Sequence, residues 1–189
     1  MSSHHIVREK QEPALLVLGM DNFSDELLGQ LLEWSPTVIV TEMMAEKLNA
    51  LGIKVDWIMA DNDSGDIQSD VKLLPLKYNS TVKTAFEFLL ANNYPAVNIV
   101  TDEFELNNYT GFLDRINIVV FYNHKKIYTI NPGFSKWSPA GEIIEFLGNA
   151  DNLQISGLDK TGETRYKTMA DGIFSISFTS PYLFIAEHL

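Results

Sequence analysis

Over its first two thirds the chain alternates short, almost wholly apolar runs with segments of helical periodicity. "ALLVLG" (residues 14–19) and the β-branched "TVIVT" (37–41) predict buried strands. Between them "SDELLGQLLEW" (24–34) offers an N-cap serine, two early acids that suit the helix dipole, and leucines at helical spacing. "MAEKLNALG" (44–52) predicts a short helix with Gly52 turning the chain out of it. "DWIMA" (56–60) supplies a third strand, and "KLLPLKY" (72–78) an extended piece that Pro75 confines to a sheet edge. "STVKTAFEFLLANN" (80–93) is the clearest helical pattern, and "AVNIVT" (96–101) is a further strand. Strands that are nearly all apolar and alternate with helices predict a parallel sheet covered on both faces.

After residue 114 the helical period disappears. "INIVVFYNHKKIYTI" (116–130) reads as two strands joined by a turn at Asn123 and His124. "GEIIEFLG", "NLQISGL", "TRYKTM", "GIFSISFTS" and "YLFIAEHL" follow as short strands with turn residues between most of them. The predicted fold class is therefore α/β: a parallel sheet with helices on both faces over residues 13–122, then a small all-β, sandwich-like domain over 125–189. No helix is expected after Gly133.

Composition narrows the partners. The chain has 189 residues, enough for one ordinary domain or two small ones sharing an interface. A net charge of −11 argues against nucleic acid as the main partner. It leaves room for an anionic ligand, because a metal ion inverts the local field. No apolar run approaches the roughly 18 residues of a membrane span. The polar N-terminal "MSSHHIVREK" lacks the apolar stretch of a signal peptide. With no cysteine, disulfide and thiolate chemistry are excluded, which says little about compartment; the cytoplasm is the default expectation.

The densest chemistry lies in "VDWIMADNDSGD" (55–66), where an apolar run passes straight into Asp61, Asp63 and Asp66. In an open parallel sheet, ligands bind outside the carboxyl ends of the strands, which is where these acids would fall. Alternation along an extended loop puts Asp61 and Asp63 on one side, about 6–7 Å apart. That spacing suits one hard cation held with substrate phosphates. The other reading is an acid-rich turn whose side chains cap local N–H groups.

The same stretch resembles the thiamine pyrophosphokinase family, which carries a proline-Asp, an apolar run, then Gly-Asp-x-Asp-Ser. Asp56, Asp61, Asp63 and Ser64 match, with Ala60 in place of glycine. "TVKTAFEFLL" is similar to the segment in which Lys-Thr-Asp opens a helix, so Lys83 and Thr84 match. The element order, including "ISGL" (155–158) in a small β domain, resembles the family to the C-terminus. The resemblance implies transfer of a pyrophosphoryl group from ATP to the hydroxyl of thiamine, releasing AMP. It implies magnesium held by Glu42, Asp61 and Asp63, with Asp61 and Asp63 catalytic and Ser64, Lys83 and Thr84 on the nucleotide. It also implies a homodimer whose active site lies between the α/β domain of one chain and the β domain of the other.

Several positions depart from the family pattern. Glu42, Met43 and Met44 stand where it has Asp-Gly-Gly, and Ala85 replaces the acid after Lys83 and Thr84. "TDEFELNN" (101–108) replaces Gly-Gly-Arg-x-Asp-His, removing an arginine expected to face phosphate and adding Asp102, Glu103 and Glu105. Arg115 is the nearest substitute cation. Two functions stay open: a divergent transferase acting on thiamine or another heterocyclic alcohol, and a binding or regulatory homologue that kept the fold without catalysis.

Overall fold

The computed structural model describes residues 12–61, 71–76 and 80–189, and divides into two compact units, Met1–Ile118 and Val119–Leu189.

In the first unit, β1 (Ala14–Val17), β2 (Val38–Thr41), β3 (Trp57–Ala60), β4 (Lys72–Pro75) and β5 (Ala96–Val100) form a parallel sheet ordered β5-β1-β2-β3-β4. The four residues of β1 are all buried, as the continuous apolar run predicts for a strand covered on both faces. β4 lies at the sheet edge, where Pro75 interrupts no ladder between two neighbours. Helix α1 (Asp25–Leu32) follows β1, α2 (Glu42–Ala50) follows β2, and α3 (Thr81–Ala91) joins β4 to β5. The strands step outward from β1 to β4, and α3 then carries the chain back across to β5. Parallel connections are right-handed, so that reversal puts α3 on the face opposite α1 and α2.

Local chemistry fixes the helix ends. Ser24, Thr41 and Ser80 are the N-caps of α1, α2 and α3, their hydroxyls accepting from Leu27, Met44 and Lys83 N–H. Gly52, at φ +72°, closes α2 in a Schellman turn: its N–H bonds Asn49 C=O, and Ile53 N–H bonds Leu48 C=O. A four-residue helix, α4 (Asn107–Thr110), begins at the end of the 101–108 segment and was not expected from the sequence. Phe86 of α3 stacks on Phe112 at 4.4 Å and meets Tyr109 edge-on at 6.2 Å, which holds this segment against α3.

The second unit is all β. β6 (Asn117–Tyr122) and β7 (Lys125–Ile130) form a hairpin whose turn residues, Asn123 and His124, both have positive φ, the signature of a type I′ turn. β8 (Phe134–Ser138), β9 (Ile143–Leu147), β10 (Gln154–Ser156), β11 (Leu158–Lys160), β12 (Arg165–Thr168), β13 (Gly172–Ser177) and β14 (Leu183–His188) complete it. One antiparallel sheet runs β11-β12-β9-β14-β7-β6 and a second runs β10-β13-β8. The two share a core that includes Ile144, Phe146 and Ile185 from the first and Phe174 and Ile176 from the second. Lys136 of β8 reaches across to Glu187 of β14, which also accepts from the Tyr128 hydroxyl. No helix follows Thr110 among the described residues.

Candidate functional site

In the strand order β5-β1-β2-β3-β4, the chain leaves β1 toward β2 and returns through α3 to β5 on the other side of β1, a switch point that opens a crevice at the carboxyl ends of β1 and β5. The residues that end these strands line a cleft of about 390 Å³ there: Leu18 after β1, Thr41 at the end of β2, and Thr101, Asp102 and Glu103 after β5. Its remaining walls are the start of α3 (Ser80, Thr81 and Val82) and the α4 residues Asn108 and Tyr109. The volume falls in the usual range of a small-molecule site.

Asp102 shapes the floor of this cleft. One carboxylate oxygen accepts from Asp21 N–H at 2.9 Å, and the other lies so close to Gly19 Cα that a Cβ at Gly19 would overlap it. Asp21 in turn pairs with Lys47 of α2 at 2.7 Å. The loop after β1 is thus tied to the end of β5 and to α2, and glycine at position 19 is a matter of space. Thr101 is buried and turns back on its own loop, donating to Glu103 C=O at 2.9 Å and accepting from Glu103 N–H at 3.2 Å.

Tyr109 is the largest fully buried side chain of the protein's described residues, 1% exposed and stacked on Phe104 at 5.5 Å. Its hydroxyl makes no hydrogen bond to any described residue. No fully enclosed side-chain oxygen or nitrogen lacks a partner among the described residues, so this hydroxyl keeps some exposure, and Tyr109 is one of the residues that line the cleft. Burial pushes the phenol pKa up to about 12, and it stays protonated at neutral pH.

The residues singled out in the sequence fall into three groups. Glu42 and Asp61 follow the carboxyl ends of neighbouring strands, since Thr41 pairs with Met59 in register; both are exposed, and neither is among the residues that line the cleft. Asp63 and Ser64, with Asp66, lie outside the described residues. Among those described, no three His, Cys, Asp or Glu side chains gather as metal ligands. Lys83 and Thr84 follow directly on the cleft-lining start of α3. The Lys83 ammonium lies 3.9 Å from Glu87, and the buried Thr84 hydroxyl donates to Leu76 C=O at 3.4 Å.

Four residues have surroundings that the sequence did not foretell. Asp56 sits at the opposite, amino end of the sheet, where its carboxylate accepts from Val38 N–H at 2.9 Å and so caps β2. Met43 and Met44 belong to the first turn of α2: Met44 is core, 2% exposed, and Met43 faces solvent. Neither lines the cleft. Arg115 bonds Gly111 C=O at 3.1 Å and lies over the Phe112 ring, away from the cleft lining. The sequence reading missed Gly19 and Tyr109. A glycine ending the first strand of a parallel sheet was the legible signal for one; nothing in the local pattern marks the other.

The field inside the cleft is mixed. Among the described residues lining it there are two carboxylates and no Lys or Arg. A carboxylate about 4 Å from an anionic oxygen costs between about 1 kcal/mol in water and about 4 kcal/mol at an effective dielectric of 20. A helix N-terminus such as that of α3 returns only about 0.3–1 kcal/mol. Among the described lining residues, then, the two carboxylates oppose a phosphate more than the start of α3 favours it, and a cation beside it would offset them.

A parallel sheet with helices on both faces and a cleft at its switch point, together with an all-β unit of two packed sheets, defines the class of fold. The particular fold is that of the thiamine pyrophosphokinases. The chain is similar to thiamine pyrophosphokinase from Bacillus subtilis (15% identity, 94% of this chain and 99% of that one, TM-score 0.66). It is also similar to the enzyme from Candida albicans (11% identity, 94% and 90%, TM-score 0.68). The yeast enzyme compares in the same way (12% identity, 97% and 88%, TM-score 0.65). No family sequence model and no curated protein sequence matches the chain. At these identities the likeness is one of fold.

Proposed function

We propose that this chain is a thiamine pyrophosphokinase-like transferase, moving the pyrophosphoryl group of ATP to the hydroxyl of thiamine or a related heterocyclic alcohol. The observation that carries this reading is the cleft at the topological switch point, bordered by the start of α3 and by Thr41 at the end of β2, the residue before Glu42. In the reaction, the acceptor hydroxyl oxygen attacks the β-phosphorus of ATP. The bond from that phosphorus to the bridging oxygen breaks, AMP leaves with the oxygen, and the hydroxyl proton is lost to solvent. Glu42 and Asp61 are hard oxygen donors that make no ion pair with any described residue, which fits a magnesium site completed by Asp63. Magnesium bound there would neutralise charge on the phosphates. The chain's own part is to orient the two substrates, with Ser64, Lys83 and Thr84 on the nucleotide side and residues 13–122 and 125–189 as the two working domains.

The protein is proposed to act in the cytoplasm as a homodimer. Among the described residues no helix is long and apolar enough to cross a membrane. The outer face of the three-stranded sheet exposes Trp137 (61%) and Ile173 (71%) as direct cross-strand neighbours, the sort of apolar pair that a second copy would cover.

A second reading, a binding homologue without catalysis, is favoured by one observation: the lining carries Asp102 and Glu103 and, among the described residues, no cationic side chain. AMP release from ATP and magnesium, measured over a panel of thiamine-like and pterin-like alcohols, separates the two. The transferase reading predicts release with at least one alcohol and its loss in Asp61→Asn. Nucleotide binding with no release from any alcohol supports the second.

A further inference from the structure

We propose that the Tyr109 hydroxyl is a ligand-contacting specificity residue of the switch-point cleft, donating its proton in a hydrogen bond to a phosphate oxygen seated at the start of α3. This rests on the reading of the cleft as a phosphate-ester site, and concerns one residue within it.

Three observations meet here. The first is that the phenol is 1% exposed yet lines the cleft, and its hydroxyl has no hydrogen-bond partner among the described residues. No enclosed polar side-chain atom lacks a partner among the described residues, so this O–H keeps some exposure and takes its acceptor from water or from a ligand. A cleft oxygen from a ligand supplies the missing acceptor. The second is the wall shared with Tyr109, the first turn of α3, where Ser80 takes up Lys83 N–H and the N–H groups of Thr81 and Val82 have no acceptor within the helix. The third is charge. The cleft lining has no cation among the described residues, so an oxyanion there depends on neutral donors and on any metal brought with it. Burial holds the phenol as a donor, because its ionised form is the disfavoured one. The ring is fixed by Phe86 and Phe104, which leaves the hydroxyl few ways to turn away.

The shared chemistry is a phosphate oxygen, and its source is either an inorganic diphosphate or the chain of a nucleotide. Titration calorimetry of the full chain in millimolar magnesium, with inorganic pyrophosphate in one arm and ATP in the other, distinguishes them. A hydrogen bond to a charged acceptor predicts that Tyr109→Phe weakens the binding arm by roughly 10- to 100-fold. The melting temperature without ligand should stay about the same, because the hydroxyl bonds no described residue; a merely structural tyrosine would lower it. Equal affinity of wild type and Tyr109→Phe in both arms overturns the role of Tyr109 and leaves the transferase reading standing. Wild type binding neither probe overturns both. The weakening seen without AMP release from any alcohol supports the Tyr109 contact and removes the transferase reading.

Discussion

Gly19 and Asp102 show how one contact can organise a cleft. The carboxylate occupies the space where a Cβ of residue 19 would be, and it also holds Asp21 N–H, so loop and strand end are fixed together. Gly19→Ala should therefore destabilise the protein by about 1–3 kcal/mol, the usual cost of overpacking. Asp102→Ala should relieve most of that in the double variant. Urea denaturation of the four proteins in the cycle measures the coupling, and strictly additive effects would show that the two residues do not share this space. Tyr109 makes a second prediction at this scale. Its folded pKa, about 12, is raised above the value of 10.0 for an exposed phenol, so its neutral form is the one the fold favours. The associated stability is fully present below pH 10 and is lost as pH rises through 12. Tyr128 is shifted in the same direction by burial and by the Glu187 charge and hydrogen bond. Unfolding free energy should fall over this alkaline range, and less steeply in Tyr109→Phe; an unchanged slope would show that Tyr109 is ionised equally in both states.

Among the elements, the parallel strands have two ends with different duties. The carboxyl ends carry the cleft and the amino ends carry structural caps, and Asp56 belongs with the latter. Its side chain satisfies Val38 N–H, and Asp56 N–H bonds Val38 C=O at 3.0 Å, so the two strands are stitched together where they enter the sheet. Asp56→Ala leaves that donor without its partner, and the expected loss is about 1–2 kcal/mol in a denaturant melt. Phosphate-probe affinity should be unchanged, because this end of β3 is a strand's length from the cleft. A variant as stable as wild type but weaker in binding would reverse the assignment. The sequence resemblance groups Asp56 with Asp61 and Asp63; the direction of the strand separates them.

For the whole molecule, the exposed pair Trp137 and Ile173 bears on assembly. Both sit on the solvent side of the sheet whose inner side buries Phe174 and Ile176, so their exposure follows from strand alternation and leaves an apolar surface. Light scattering at micromolar concentration should give the mass of a dimer. Trp137→Ser with Ile173→Ser should shift it toward monomer while leaving circular dichroism unchanged. A monomeric wild type would end the homodimer proposal.

Elements were largely written in local pattern, because each follows from neighbours a few residues apart. Continuous apolar runs specified the buried parallel strands, Ser24 and Ser80 the helix starts, Gly52 a helix end, and Asn123 with His124 the tight hairpin. The loss of helical period announced the all-β half. Which residues meet was decided by tertiary structure alone. Strand order put β5 beside β1, and so brought Asp102 onto Gly19 across 83 positions of sequence. The same order placed Tyr109 in the wall of a cleft whose other side is the start of α3. Asp56 and Asp61 lie at opposite ends of β3, as the predicted strand between them implies, but that Asp56 caps β2 followed only from the pairing of β2 with β3. Period and propensity act along the chain and carry no information on the order in which strands lie side by side; that order depends on contacts between residues far apart in sequence, which only the folded chain makes.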